Sequence, residues 1–283
     1  MAASIPGMSI RGRFSITLPL LAAFLVVVSL FPFAWMLLSS LKTLRELYTV
    51  PPSWIPETPT LANYMKVLFE SNVPRYFLNS VIVSIGSTAI ALVFAIPAAY
   101  GFARFSFRGR SLWQTFVLVS HLLPTAALIV PLYVFLGQLK MLNTLTGLIL
   151  VYLVLTLPLS IWMLTGYFRS IPIELEEAAI IDGASHIGIL LRIMLPLSLP
   201  GIVVIVLYAF VATWNEFIFA LSFATDTGVK TLPIGLAEFS TEYDTDWGAV
   251  MAASVIMTLP IAIMFFGLQK LFVGGLISGG VKG

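Results

Sequence analysis

The chain has 283 residues, 59% of them hydrophobic and 10% charged, with a formal net charge of +2 and a mean hydropathy of +1.01. A soluble domain carries about 25% charged residues, so a water-facing surface cannot be built around this much apolar volume, and the bilayer is the solvent the composition implies. The small net charge excludes the basic footprint of a nucleic-acid binder, and the lack of cysteine excludes disulfides, thiolate metal sites and a cysteine nucleophile. With His121 and His186 as the only imidazoles, a multi-histidine metal centre is not expected.

In chain order, Arg11 and Arg13 precede a long apolar run, as in a signal peptide. The run from about Ile16 to Leu41 exceeds the roughly 7–15 residues of a signal core, and no small-residue cleavage site follows it. It is therefore expected to be an uncleaved first span that also serves in targeting. A membrane helix needs about 20 mostly apolar residues, and five further stretches qualify: Leu78–Ala103, Leu112–Gly137, Leu145–Phe168, Leu197–Phe223 and Gly248–Val273. Pro124, Pro131 and Pro158 interrupt the third and fourth, either as simple kinks or as breaks of the kind transporters use.

Six spans put both ends on one side. With both ends cytoplasmic, the inner segments hold Arg11, Arg13, Arg104, Arg108, Arg110, Arg169, Arg192, Lys270 and Lys282, and the outer ones Lys42, Arg45, Lys66, Arg75, Lys140 and Lys230. That excess favours an N-in, C-in topology. Two outer segments are long. The first, 42–77, is proline-rich and includes a short helix start at Thr60–Tyr64. The second, 224–247, carries Asp226, Glu238, Glu242, Asp244 and Asp246, a solvated surface or a docking surface for a soluble partner.

The segment between the fourth and fifth spans, Ser170–Pro196, carries most of the functional inference. Pro172 and the acidic Glu174, Glu176 and Glu177 mark a helix start. Gly183 marks its end, Ser185 can cap a second helix, and Pro196 is expected to end that one. Glu177-Ala178-Ala179, then three residues, Gly183, nine residues and Ile193-x-Leu195-Pro196 resembles the EAA motif of ABC-importer permeases. An ordinary amphipathic connecting hairpin would explain the helices but not this spacing. Small Ala178 and Ala179 suit a helix seated in a cleft, Glu177 offers it a carboxylate, and Gly183 permits a chain reversal. In the resembled family the cleft belongs to the ATPase subunit, so the resemblance makes Glu177, Ala178, Ala179, Asp182, Gly183 and Pro196 the coupling residues. The tail from Gly274 to Gly283 resembles that of the carbohydrate-uptake branch, which includes the smaller permease subunit of the maltose transporter.

Trp214-Asn215-Glu216 falls within the fifth span, and an ionisable residue at membrane depth is a functional candidate by default. Glu216 faces the bundle interior or a watery cavity, or else lies near the outer end and reaches the headgroups. The tripeptide recurs in the sugar-permease branch and supplies the carboxylate, amide and aromatic face that sugars need, so the three are expected on the substrate pathway. Tyr133 and Tyr208 are weaker candidates. His121 reads better as a buried packing histidine than as a proton relay, and His186 as a surface residue.

These readings predict an all-α, polytopic membrane protein with six transmembrane helices, and the resemblance implies the type I ABC-importer permease fold. The expected organisation is 1–77 (cytoplasmic tail, first helix and long outer loop), 78–273 (a five-helix core containing 170–196) and 274–283 (a cytoplasmic tail). No phosphate-binding loop ending Gly-Lys-Ser/Thr occurs, so the chain is not expected to be an enzyme, and no catalytic residue or cofactor is assigned to it. The resemblance implies a second homologous permease, two ATPase subunits that hold ATP and Mg, an extracytoplasmic solute-binding protein and a sugar substrate, in a bacterial inner membrane. A permease for a polyol or glycerol phosphate ester remains open. A secondary transporter would show paired repeats and several intramembrane charges. An intramembrane enzyme would need a convergent acid, base or nucleophile set.

Overall fold

The computed structural model describes residues 14–240 and 244–279, with side chains from 18 to 240 and from 244 to 269. Arg11, Arg13, Glu242 and residues 280–283 of the tail lie outside the described residues. Among the described residues every named element is a helix, and the only pairing of strand type is an isolated bridge between Ser240 and Thr245.

Helix α1 (Phe14–Ser40) is apolar all round, with its spanning stretch exposed to the surroundings, as a lipid-facing helix must be. A polar turn, α2 (Leu44–Leu47), follows in a capping box closed by Thr43 and Glu46. Glu46 also accepts from the Thr58 amide and hydroxyl at 2.9 and 2.8 Å, and the Thr58 hydroxyl is the main reason its carboxyl sits below the usual range. α3 (Ala62–Phe69) starts next to the predicted Thr60–Tyr64 position. Its Asn63 donates to the Ser40 and Lys42 carbonyls, both at 2.9 Å, and so satisfies the open end of α1.

α4 (Val73–Arg104) and α7 (Leu145–Ser170) form the most extensive helix pair, and α11 (Leu199–Trp214) lies against both. The buried face of α4 is a stripe of small residues: Ser80, Ser84, Ser87, Thr88, Ala91, Ala95 and Ala99. Small side chains let membrane helices approach closely. On α7 the facing hydroxyls of Thr156, Ser160 and Thr165 donate to carbonyls four residues back, at 3.0, 2.7 and 2.7 Å, so these three are satisfied within their own helix. α14 (Trp247–Gly279) packs on α11, α1 and α3.

Among the described residues four helices, α1, α4, α7 and α14, are each long and apolar enough to cross a membrane, and two sharply bent pairs bring the number to six if each counts as one span. The predicted third span is one such pair: α5 (Arg110–His121) and α6 (Thr125–Gln138) meet at 97°. Pro124 explains the break, because it has no N–H to continue α5 and it disfavours helical backbone at Leu123. Pro131 and Pro158, by contrast, sit inside continuous helices. The predicted fifth span is divided as well, since α11 stops at Trp214 and a short α12 restarts at Ile218 and runs to Phe223. The sixth helix continues past the predicted limit at Val273 to Gly279.

Candidate functional site

The segment 170–196 folds as two capped helices. α8 (Glu174–Ile181) begins with Glu174, Glu176 and Glu177 in its first turn, where carboxylates oppose the positive end of the helix dipole. It ends in a Schellman motif. Gly183 has φ +83°, its amide donates to the Ile180 carbonyl at 2.9 Å, and the Ala184 amide donates to the Ala179 carbonyl at 2.9 Å. This gives the Ala179-to-Gly183 interval a backbone reason: it is the distance from the third-last helical carbonyl to the left-handed residue that closes the helix. Ser185 then accepts from the Gly188 amide at 3.2 Å and caps α9 (His186–Ile189).

Pro196 does not end this second helix. α9 continues through a widened π turn, Leu190–Met194, into α10 (Leu195–Leu197), and the chain turns by 80° at Ser198 into α11. Pro196 is tolerated because it lies in the first turn of α10, where a missing N–H is harmless.

Glu177, Ala178, Asp182 and Gly183 are exposed, and Ala179 is half-buried. The adjacent Glu176, to which the sequence reading gave no role beyond the helix start, is buried at 5% exposure. It pairs with Arg104 at the end of α4 and accepts from the Tyr100 hydroxyl at 3.1 Å. Arg104 in turn donates to the Ile171 carbonyl at 2.8 Å. Sequence reasoning counted Arg104 only as a charge that marks the inner face. The available signal was its spacing of four from Tyr100 on a helix face that also buries Ala103; nothing local pointed to its partner 72 residues away.

Trp214, Asn215 and Glu216 occupy the break between α11 and α12. Trp214 is fully buried, stacked on Phe210 at 5.4 Å and edge-on to Phe77 at 5.5 Å. Its indole N–H donates to the Met257 carbonyl at 3.0 Å, one turn before Pro260 in α14. Glu216 is buried and caps α12, accepting from the Phe219 and Ala220 amides at 2.8 and 3.0 Å. Asn215 is exposed and donates to the Val211 carbonyl at 2.9 Å. The neighbouring Phe217 lines an open cavity of about 320 Å³ with Leu221, Thr225, Lys230, Ile234 and Glu238. Of the weaker candidates, Tyr208 donates to the Leu155 carbonyl at 3.2 Å, Tyr133 is exposed, and His186 sits edge-on to Phe105 at 5.1 Å.

Polar anchors that the sequence reading did not single out hold the segment after α12 in place. Asn143 accepts from the Thr225 amide and hydroxyl and from the Asp226 amide at 2.7, 3.0 and 3.2 Å. Asn79 of α4 donates to the Gly228 and Lys230 carbonyls at 3.1 and 2.9 Å, and Ser80 accepts at 2.8 Å from the amide of Leu232, the first residue of α13 (Leu232–Ala237). A second cavity, of about 340 Å³, lies between α5 and α7, with Gln114 and Arg169 hydrogen-bonded at 3.1 Å on its wall.

An apolar helical bundle with broken spans, and with a capped helix pair standing exposed at one end, is the architecture of a multi-pass transport component rather than of a soluble domain. The family described as "Binding-protein-dependent transport system inner membrane component" matches residues 91–277, and the chain belongs to it. The sulfoquinovosyl glycerol transport system permease protein SmoH of Agrobacterium fabrum is 40% identical over 262 residues, 93% of this chain and 92% of that protein. The trehalose/maltose transport system permease protein MalG of Thermococcus litoralis is 40% identical over 265 residues, 93% of this chain and 95% of that protein. A chain from the crystal structure of a bacterial ABC transporter involved in alginate import superposes with a TM-score of 0.79 at 21% identity, covering 95% of this chain and all of that one, which shows a shared fold. The protein is thus an ABC transporter permease with the type I importer fold, and a multi-pass membrane protein.

Proposed function

We propose that this chain is one of two permease subunits of an ATP-driven importer of sugars or glycosides. What carries the substrate class is that two relatives at 40% identity over nearly the whole chain are named for glycosyl solutes. A second homologous permease completes the translocation pathway, and two ATPase subunits supply ATP and Mg. An extracytoplasmic binding protein delivers the solute to the segment after α12. Both termini lie in the cytoplasm, with 78–273 as the permease core, flanked by 1–77 and 274–283. The coupling surface is the exposed side of α8 and its cap: Glu177, Ala178, Ala179, Asp182 and Gly183, with Pro196 shaping the exit into α11. In the pathway, Asn215 is the residue presented to solute, while Trp214 and Glu216 keep the break between α11 and α12 in shape.

Purification of the tagged chain from its native membrane, followed by reconstitution with the co-purifying subunits, tests this reading. Uptake is expected to need ATP and the binding protein and to be selective for glycosides. Solute movement by the chain alone in ATP-free vesicles refutes it.

A further inference from the structure

The two neighbouring glutamates of α8 meet different surroundings. Successive helical residues are about 100° apart, which is enough for Glu176 to be buried against the protein while Glu177 is exposed. The inward carboxylate meets a complete set of partners. One oxygen takes Arg104 Nε and the other the Tyr100 hydroxyl, while Arg104 Nη2 bonds to the Ile171 carbonyl just past the end of α7. Only 10% of the Arg104 side chain and 7% of the Glu176 side chain is exposed. Tyr100 itself belongs to a buried apolar cluster with Ala103, Phe168, Ile171, Ile189, Leu190 and Met194. One cation therefore joins the last residue of α4, the end of α7 and the first turn of α8.

A buried ion pair is a poor way to gain stability, because its desolvation rivals the attraction, and apolar residues of similar volume commonly serve as well. What charged hydrogen bonds add is direction. Two bonds from one rigid guanidinium plane fix both distance and angle, whereas methyl-on-methyl packing permits sliding. Resting on the reading that α8 is the coupling element, we propose that Arg104 and Glu176 are positioning residues for transport. They clamp α8 to the ends of α4 and α7, so that displacement of α8 by a partner subunit reaches the central helix pair as rigid-body motion instead of being absorbed in the Ile171–Ile173 connection. Neither residue contacts solute or ATPase; Glu177, on the free side, is left for that contact.

The test uses the full complex in proteoliposomes and reads solute moved per ATP hydrolysed. Glu176→Gln and Arg104→Met are each expected to lower that ratio severalfold while ATPase subunits still co-purify with the chain. Arg104→Lys, which keeps the charge and loses the planar double contact, is expected to fall between. Because the chain has no cysteine, Arg104→Cys/Glu176→Cys provides a rescue: a short bifunctional thiol crosslinker is expected to restore the ratio, and a monofunctional reagent is not. A purely structural role would lower thermal stability and yield without moving solute per ATP, and would not respond to the tether. An unchanged ratio in the single variants, or a tether without effect, overturns the proposal and leaves the importer reading intact. If the wild-type chain retains no ATPase at all, it is the importer reading that fails.

Discussion

Gly183 is a position where backbone and side-chain size can be separated by experiment. Its φ of +83° lies in the left-handed region, and a Cβ built there meets nothing within 4 Å. Substitution in this chain is therefore penalised by conformation alone. For alanine that penalty is about 1–2 kcal/mol; for asparagine, which tolerates the left-handed region, it is smaller; for valine it is larger. The Schellman bonds at Gly183 and Ala184 depend on that conformation, so Gly183→Ala should open them about 5–30 times more often, the factor that corresponds to one or two kcal/mol. Amide hydrogen exchange over 180–185, by mass spectrometry on the purified complex, measures this directly. The expected order of exchange rates is wild type, Asn, Ala, Val, and solute moved per ATP should decline in the same order. Wild-type exchange in Gly183→Ala, or Gly183→Asn as fast as Gly183→Val, refutes the backbone argument and makes size against a partner the determinant.

Glu216→Ala removes the acceptor at the start of α12; a loss of roughly 1–2 kcal/mol is expected, read as a lower Tm in detergent, and Glu216→Gln, which keeps one oxygen, should lose less. Trp214→Phe keeps the stack on Phe210 but leaves the Met257 carbonyl without its donor; about 1 kcal/mol should be lost, and equal stability would show that the bond to α14 contributes nothing. Between Asp246 and Lys66, 2.5 Å apart, the effect depends on pH. Burial raises the Asp246 carboxyl, but Lys66 and the Ala249 amide outweigh it and hold it below its usual range, while Asp246 holds the Lys66 ammonium above its own. A lowered acid stabilises above its unfolded pKa and a raised base below its own, so the pair contributes throughout the neutral range and fades as pH falls through the Asp246 value. Asp246→Asn, which can still cap α14, should lose under about 1 kcal/mol at neutral pH, and its deficit against wild type should shrink as pH falls below the ordinary aspartate value of about 3.9.

The apolar helices were legible because each needs only its own 20-odd residues to be recognised. α1, α4, α7 and α14 all contain most of the stretch that hydropathy assigns to them. The capped ends of α8 and α9 were legible for the same reason, since Gly183 and Ser185 act on amides within five residues. The breaks were half visible. Pro124 marked one, but whether a proline kinks a helix or ends it depends on who serves the freed carbonyls, and Pro158 sits within a continuous α7. The break after Trp214 has no proline at all. It is held by a carboxylate, Glu216, that takes the next helix's amides, a capping role that hydropathy and residue type alone do not reveal. Pairings at long range, Arg104 to Glu176 and Asn143 to Thr225, left no local trace.

The EAA-type segment contains both local and long-range features. Its recognisable letters divide by duty. Ala179 and Gly183 are spaced for a backbone cap, and the exposed Glu174, Glu177 and Asp182 give α8 an acidic outer surface with no ion-pair partner among the described residues. A cleft that receives this surface must supply its own positive charge, either a basic side chain or backbone amides. Glu176 belongs to neither group. By residue type it is indistinguishable from Glu177, and the fold, by pairing Glu176 with Arg104 at the end of α4, spends that carboxylate inside the subunit and leaves Glu177 exposed. Glutamate-to-glutamine changes at 176 and 177 should therefore fail differently: loss of ATPase retention in the second, and retained ATPase with less solute per ATP in the first.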